Sequence, residues 1–90
     1  MNYLHSELQL DSGDMVEITL DHAANVMLLD TANFELYKQR KPYQYFGGHA
    51  EETPTYVAAP ARGRWHLVVD LGGAPGTVRA GFRIVASQPV

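Results

Sequence analysis

Four histidines, two pairs of acidic residues and a mid-chain run of tyrosines are the residues of this chain that could do chemistry. His5, His22, His49 and His66 fall in none of the spacings by which two imidazoles on one element grip a metal. His49, Glu51, Glu52 and His66 would meet only if the fold brought them together, so no metal and no cofactor is expected. The same groups are the only candidates for acid/base work. A small hydrolase or isomerase would use His49 and His66 with Glu51 or Asp70. Nucleophilic catalysis has less support: Ser6, Ser12 and Ser87 lie in no strand-to-helix elbow, and no glycine-rich loop precedes a helix to cradle phosphate. Asp11 and Asp14 lack the spacing and distal glutamate of a calcium loop and read as a turn.

Binding chemistry is better represented. Tyr37, Lys38, Arg40, Lys41, Tyr43 and Tyr45 interleave aromatic faces with cations, which suits stacking on a base, a sugar or a peptide. A second polar set, Arg64, His66, Asp70, Arg79 and Arg83, could form an anion site on one sheet face or a row of solvated charge pairs. The expected ligand surface therefore combines Tyr43, Tyr45 and the Gly47–His49 loop with Arg64, His66, Asp70 and Arg79.

The elements that would position these groups are strands. Residues 63–71 place Trp65, Leu67, Val69 and Leu71 on one face, opposite Arg64, His66, Val68 and Asp70. After the Gly72–Gly76 turn, Val78, Ala80, Phe82 and Ile84 alternate with Thr77, Arg79, Gly81 and Arg83, so the two runs predict a β-hairpin with both apolar rows inward. Two more alternating strands, Tyr3–Leu10 and Met15–Leu20, flank a tight turn at residues 11–14. Ala24–Leu29 is almost continuously apolar, as a strand covered on both faces must be. Its cover would be a short helix over residues 31–39, capped by Asp30 or Thr31, packing Phe34 inward and stopped by Pro42. Tyr43–Phe46 reads as a short strand, residues 47–52 as a flexible loop, Thr53–Ala59 as a strand with proline at its start, and Ser87–Val90 as a fraying tail.

The pattern predicts one all-β domain over residues 1–90: an antiparallel β-sandwich or small Greek-key or jelly-roll barrel of seven to eight strands with one helical turn. Cysteine is absent, which removes thiolate chemistry and fits a reducing compartment. No basic leader or apolar run of membrane-spanning length is visible, so a cytoplasmic setting without a membrane partner is expected. A net charge of −3 argues against nucleic acid as a partner.

Gly13–Leu20, Ala23–Lys38, Tyr43-Gln44-Tyr45-Phe46-Gly47-Gly48-His49-Ala50 and Gly63–Val85 together resemble a bacterial family catalogued as domain of unknown function eighteen-eighty-three. The resemblance implies a small β-sandwich, free-standing or appended to TIR signalling domains, and brings no activity with it. A looser similarity to secreted jelly-roll accessory modules rests on the Gly13-Asp14 and Gly63-Arg64-Trp65 motifs and again speaks to packing. The functional expectation is a non-catalytic module binding a small ligand or a protein partner. The alternatives are the small enzyme above and an oligomerisation unit, a homodimer joined through an edge strand.

Overall fold

The computed structural model describes residues 3–86; the tail expected at Ser87–Val90 lies outside them. Seven antiparallel strands form two facing sheets: β1 (Tyr3–Leu10), β2 (Met15–Leu20), β3 (Ala24–Asp30), β4 (Phe46–Ala50), β5 (Thr55–Ala58), β6 (Gly63–Asp70) and β7 (Ala80–Val85). One sheet has the order β1-β6-β3-β4 and the other β5-β2-β7. The fold is therefore an all-β sandwich, and the two sheets do not close into a barrel.

The alternating leucines and valines do what period-two patterning requires. Leu8 and Leu10 of β1, Val16, Ile18 and Leu20 of β2, Val26 and Leu28 of β3, and Trp65, Leu67 and Val69 of β6 meet in one core between the sheets. A second, smaller core lies on the opposite face of the larger sheet. There α1 (Thr31–Lys38) lays Phe34 and Tyr37 over Met27, Leu29 and Val68. The helix starts where expected, because the Asp30 carboxylate accepts the Asn33 amide at 2.8 Å. β3 is thus covered on both sides, as its unbroken apolar run demands.

Three expectations are corrected. The paired runs at 63–71 and 77–85 do not form a hairpin: β6 lies between β1 and β3, whereas β7 pairs with β2 in the other sheet. Both hydrogen-bonding edges of β6 are taken by longer partners, and residues 71–79 cross from one sheet to the other. The inward row expected of β7 is also only partly realised, since Phe82 and Ile84 keep 42% and 43% of their surface on an open flank. Lastly, Phe46–Ala50 is a strand, not a loop, and the preceding Tyr43–Tyr45 segment is irregular. Gly47 is there because β4 runs hard against β3 at that point. At Gly47 φ is +123° and a Cβ would land on the Val26 carbonyl oxygen.

Gly47→Ala should accordingly lower stability by about 2–4 kcal/mol, combining backbone strain with a clash that neither rigid strand can relieve. Gly73→Ala, also at positive φ but with open space around it, should cost only about 1 kcal/mol. Urea unfolding of both variants checks this; equal losses would mean that close strand approach is not what requires Gly47.

Candidate functional site

The outer face of the larger sheet carries two hydrogen-bonded chains beneath and beside α1. In the first, His66 is buried at 5% exposure. Its Nδ1 lies 2.8 Å from His5 Nε2 and its Nε2 lies 3.0 Å from Thr31 Oγ1. Phe34 stacks on both rings, 4.2 Å from His5 and 4.6 Å from His66, and Lys38 Nζ sits 4.8 Å from the Phe34 ring. Burial, then the neighbouring His5, pushes the His66 pKa down, so the ring is held neutral. Glu7 pulls weakly the other way.

In the second chain Asp70, only 4% exposed, accepts from Asn25 Nδ2 at 2.9 Å, Tyr37 Oη at 2.6 Å and the Gly72 amide at 2.9 Å. Burial, and then that bond to Asp70, hold the Tyr37 hydroxyl far above its ordinary pKa. Asn25 also meets His49, whose Nδ1 lies 3.2 Å from Asn25 Oδ1. Such a carboxylate, satisfied on both oxygens and pinned to a helix, a strand and a turn, fixes α1 against the sheet.

These chains separate the residues that sequence spacing left open. His49 is level with Asn25 on β3, while His66 is level with Leu29, four residues further along that strand. At roughly 3.3 Å per residue the two imidazoles are more than about 13 Å apart along the sheet. Asp70 reaches His49 only through Asn25, and Glu51 lies 3.8 Å from His49 on the exposed side. Arg64 pairs with Glu7 on β1 at 3.1 Å. Arg79 precedes β7 and gives its amide to Asp21 Oδ1 at 2.7 Å. Arg83 holds Glu17 through two bonds of 2.8 and 3.2 Å on the other sheet. The expected stripe from Arg64 to Arg83 is thus split between the two sheets, because it was drawn on a hairpin that does not form. Among the described residues no three His, Cys, Asp or Glu side chains gather as metal ligands.

Tyr43 and Tyr45, by contrast, border a cleft of about 600 Å³ at the end of β4, within the usual range of ligand sites. Leu28 and Trp65 form its floor, Tyr45, Phe46 and Pro60 its apolar walls, and Asp30, Asn33 and Gln44 its polar margin. Phe46 meets Trp65 edge-on at 6.0 Å and Tyr43 leans on Tyr45 at 5.7 Å. Yet Tyr45 and Phe46 remain 46% and 48% exposed. The indole N–H is already given to the Ala61 carbonyl at 3.0 Å, and the Tyr43 hydroxyl points at Met27 Sδ, 3.5 Å away. Asn33 is spent as well, bonding Asp30 through Nδ2 and accepting the Gln44 amide on Oδ1. Asp30 uses Oδ1 for the helix cap, and among the described residues Oδ2, the Gln44 side chain and the Tyr45 hydroxyl have no protein partner. Sequence reasoning missed Asp30, Gln44, Phe46, Pro60 and Trp65 as neighbours. The one available signal was Tyr43-Gln44-Tyr45-Phe46, three aromatics in four residues without the alternation that would bury them.

A family profile described as domain of unknown function (DUF1883) matches residues 1–88, and the chain belongs to that family. No curated protein and no solved structure matches it. No helix among the described residues is long and apolar enough to cross a membrane.

A neutral buried His66 has a direct pH consequence. Its folded pKa lies below the value of about 6.5 expected in the unfolded chain, so the unfolded state binds more protons as pH falls past that point. This contribution is complete above about pH 6.5 and is lost progressively below it. Urea midpoints should therefore drop between about pH 7.5 and 5.5, and His66→Leu should flatten that slope. An unchanged slope in His66→Leu would place the responsible proton elsewhere.

Proposed function

We propose that this DUF1883 member is a non-catalytic binding module, in a cytoplasmic setting, whose β4-end cleft seats a neutral saccharide ring. The observation that carries the reading is the pairing of exposed aromatic faces, Tyr45 and Phe46, with unpartnered planar polar groups, the Gln44 amide and Asp30 Oδ2, around one concavity. A sugar ring has an apolar C–H face that stacks on an aromatic ring and a rim of hydroxyls that both donate and accept. A carboxylate oxygen accepts from one hydroxyl while an amide donates to the next and accepts from a third. The Tyr45 hydroxyl supplies one further donor at the wall.

Charge supports the same class. Among the described residues Asp30 is the only acidic or basic side chain lining the cleft, so an anionic ligand would be repelled and a neutral one is matched. The cleft rests on rigid parts: its floor comes from two core strands and its polar margin from a capped helix start. His66 and Asp70 are buried with internal partners for their polar atoms, which supports recognition over acid/base turnover.

Neutral glucan, xylan and chitin oligomers titrated into the labelled chain should shift the amides of Asn33, Gln44, Tyr45 and Phe46 for at least one oligomer. Tyr45→Ala should then weaken binding by about tenfold or more. Asp30→Ser, which retains a helix cap but deletes the carboxylate, should weaken binding while leaving the helix intact. Shifts confined to other regions across all three series would remove this assignment.

A further inference from the structure

We infer that β7 is a self-pairing edge: two copies of this chain join antiparallel along residues 80–84, extending the three-stranded sheet to six strands. The inference is independent of the saccharide cleft, which lies at the β4 end of the sandwich. Edge strands normally carry a device against pairing, such as a proline, a lysine, a bulge or extreme shortness. The opposite edge of the same sheet has one, since β5 is only four residues long. β7 has none of these devices: Ala80-Gly81-Phe82-Arg83-Ile84-Val85 contains neither proline nor lysine, and it pairs with β2 without a break from Leu20↔Ala80 to Met15↔Val85. Its one cation is drawn away from the free edge, since the Arg83 guanidinium reaches across to Glu17 on β2.

The strand also exposes what a partner would cover. Phe82, Ile84 and Val85 keep 42%, 43% and 39% of their surface, and Leu4 on the neighbouring β1 edge keeps 43%. Leu4 and Phe82 border the same slot between the two sheets. Charge and size then choose the register. Directly opposed residues in an antiparallel pair share a face, so a two-fold pairing must centre on a residue. Centring on Arg83 opposes two guanidiniums, and centring on Gly81 sets Arg79 against Arg83. Like charges directly opposite destabilise a sheet. Centring on Ile84 leaves fewer β7 residues paired. Centring on Phe82 opposes Phe82 to its own copy, small Ala80 to large Ile84, and Gly81 to Arg83, so every pair fits. The β4–β5 flank is then left outward in both copies, and the dimer carries two clefts.

The full chain should show reversible dimerisation by sedimentation equilibrium between micromolar and millimolar concentration. Phe82→Lys should raise the dissociation constant by at least about tenfold, with an unchanged circular dichroism spectrum because the slot it borders is open to solvent and a lysine stem can reach water from it. The chain has no cysteine, so single cysteines report register without background. Phe82→Cys should oxidise to a covalent dimer, while Arg83→Cys and Ile84→Cys should remain monomeric under the same conditions. This cross-linking also decides the matter should Phe82→Lys fail to fold. A chain monomeric throughout the range, or one that cross-links through Arg83→Cys in preference to Phe82→Cys, overturns the proposal.

Discussion

The burial of β6 on both faces is the constraint on which the rest of the molecule depends. Trp65, Leu67 and Val69 enter the inter-sheet core, and His66, Val68 and Asp70 lie on the side of the helix. A strand so placed can expose no polar atom without a partner, and its histidine and aspartate each arrive with partners: His5 and Thr31 for one, Asn25, Tyr37 and Gly72 for the other. Those partners sit on β1, α1, β3 and the following turn. Satisfying β6 therefore fixes the position of almost every neighbour in the larger sheet.

This explains why the helix can be so short. Eight residues would not hold a helix in water by backbone hydrogen bonding alone. Here the Asp30 cap, the Phe34 stack on two imidazoles and the Tyr37–Asp70 bond anchor its start, its middle and its last turn. The helix in turn positions Asp30 and Asn33 at the margin of the β4-end cleft. The polar network is thus connected to the recognition surface through structure, and its histidine and carboxylate are not themselves presented to a ligand.

The two flanks of the sandwich differ for the same reason. At the β4–β5 flank the irregular Tyr43–Tyr45 segment and Pro60 build walls, and a concavity forms. At the β1–β7 flank no helix or loop among the described residues closes the gap between the sheets, and inward-facing Leu4 and Phe82 remain partly in solvent. One flank has the chemistry of a ligand site; the other has that of an interface between chains.

What the sequence determined by itself was the set of local elements and their faces. Alternation in Tyr3–Leu10, Met15–Leu20 and Gly63–Asp70, the unbroken apolar run of β3, and Asp30 ahead of Phe34 and Tyr37 are legible because side-chain direction repeats every two or 3.6 residues. The same reading applied to Trp65-His66-Leu67-Val68-Val69, apolar on both rows but for one histidine, would have marked β6 as doubly covered. Partnership was not legible. A period of two says which way a side chain points and nothing about which strand lies beside it, so the adjacent runs at 63–71 and 77–85 looked like a hairpin although they belong to different sheets. The polar stripe drawn on that hairpin separated with it, and the cleft joining Asp30, Tyr45, Phe46, Pro60 and Trp65 arose only from contacts between distant segments. Hydrogen-bonded neighbours in a sheet are chosen by competition among all available edges, and that choice is made in three dimensions.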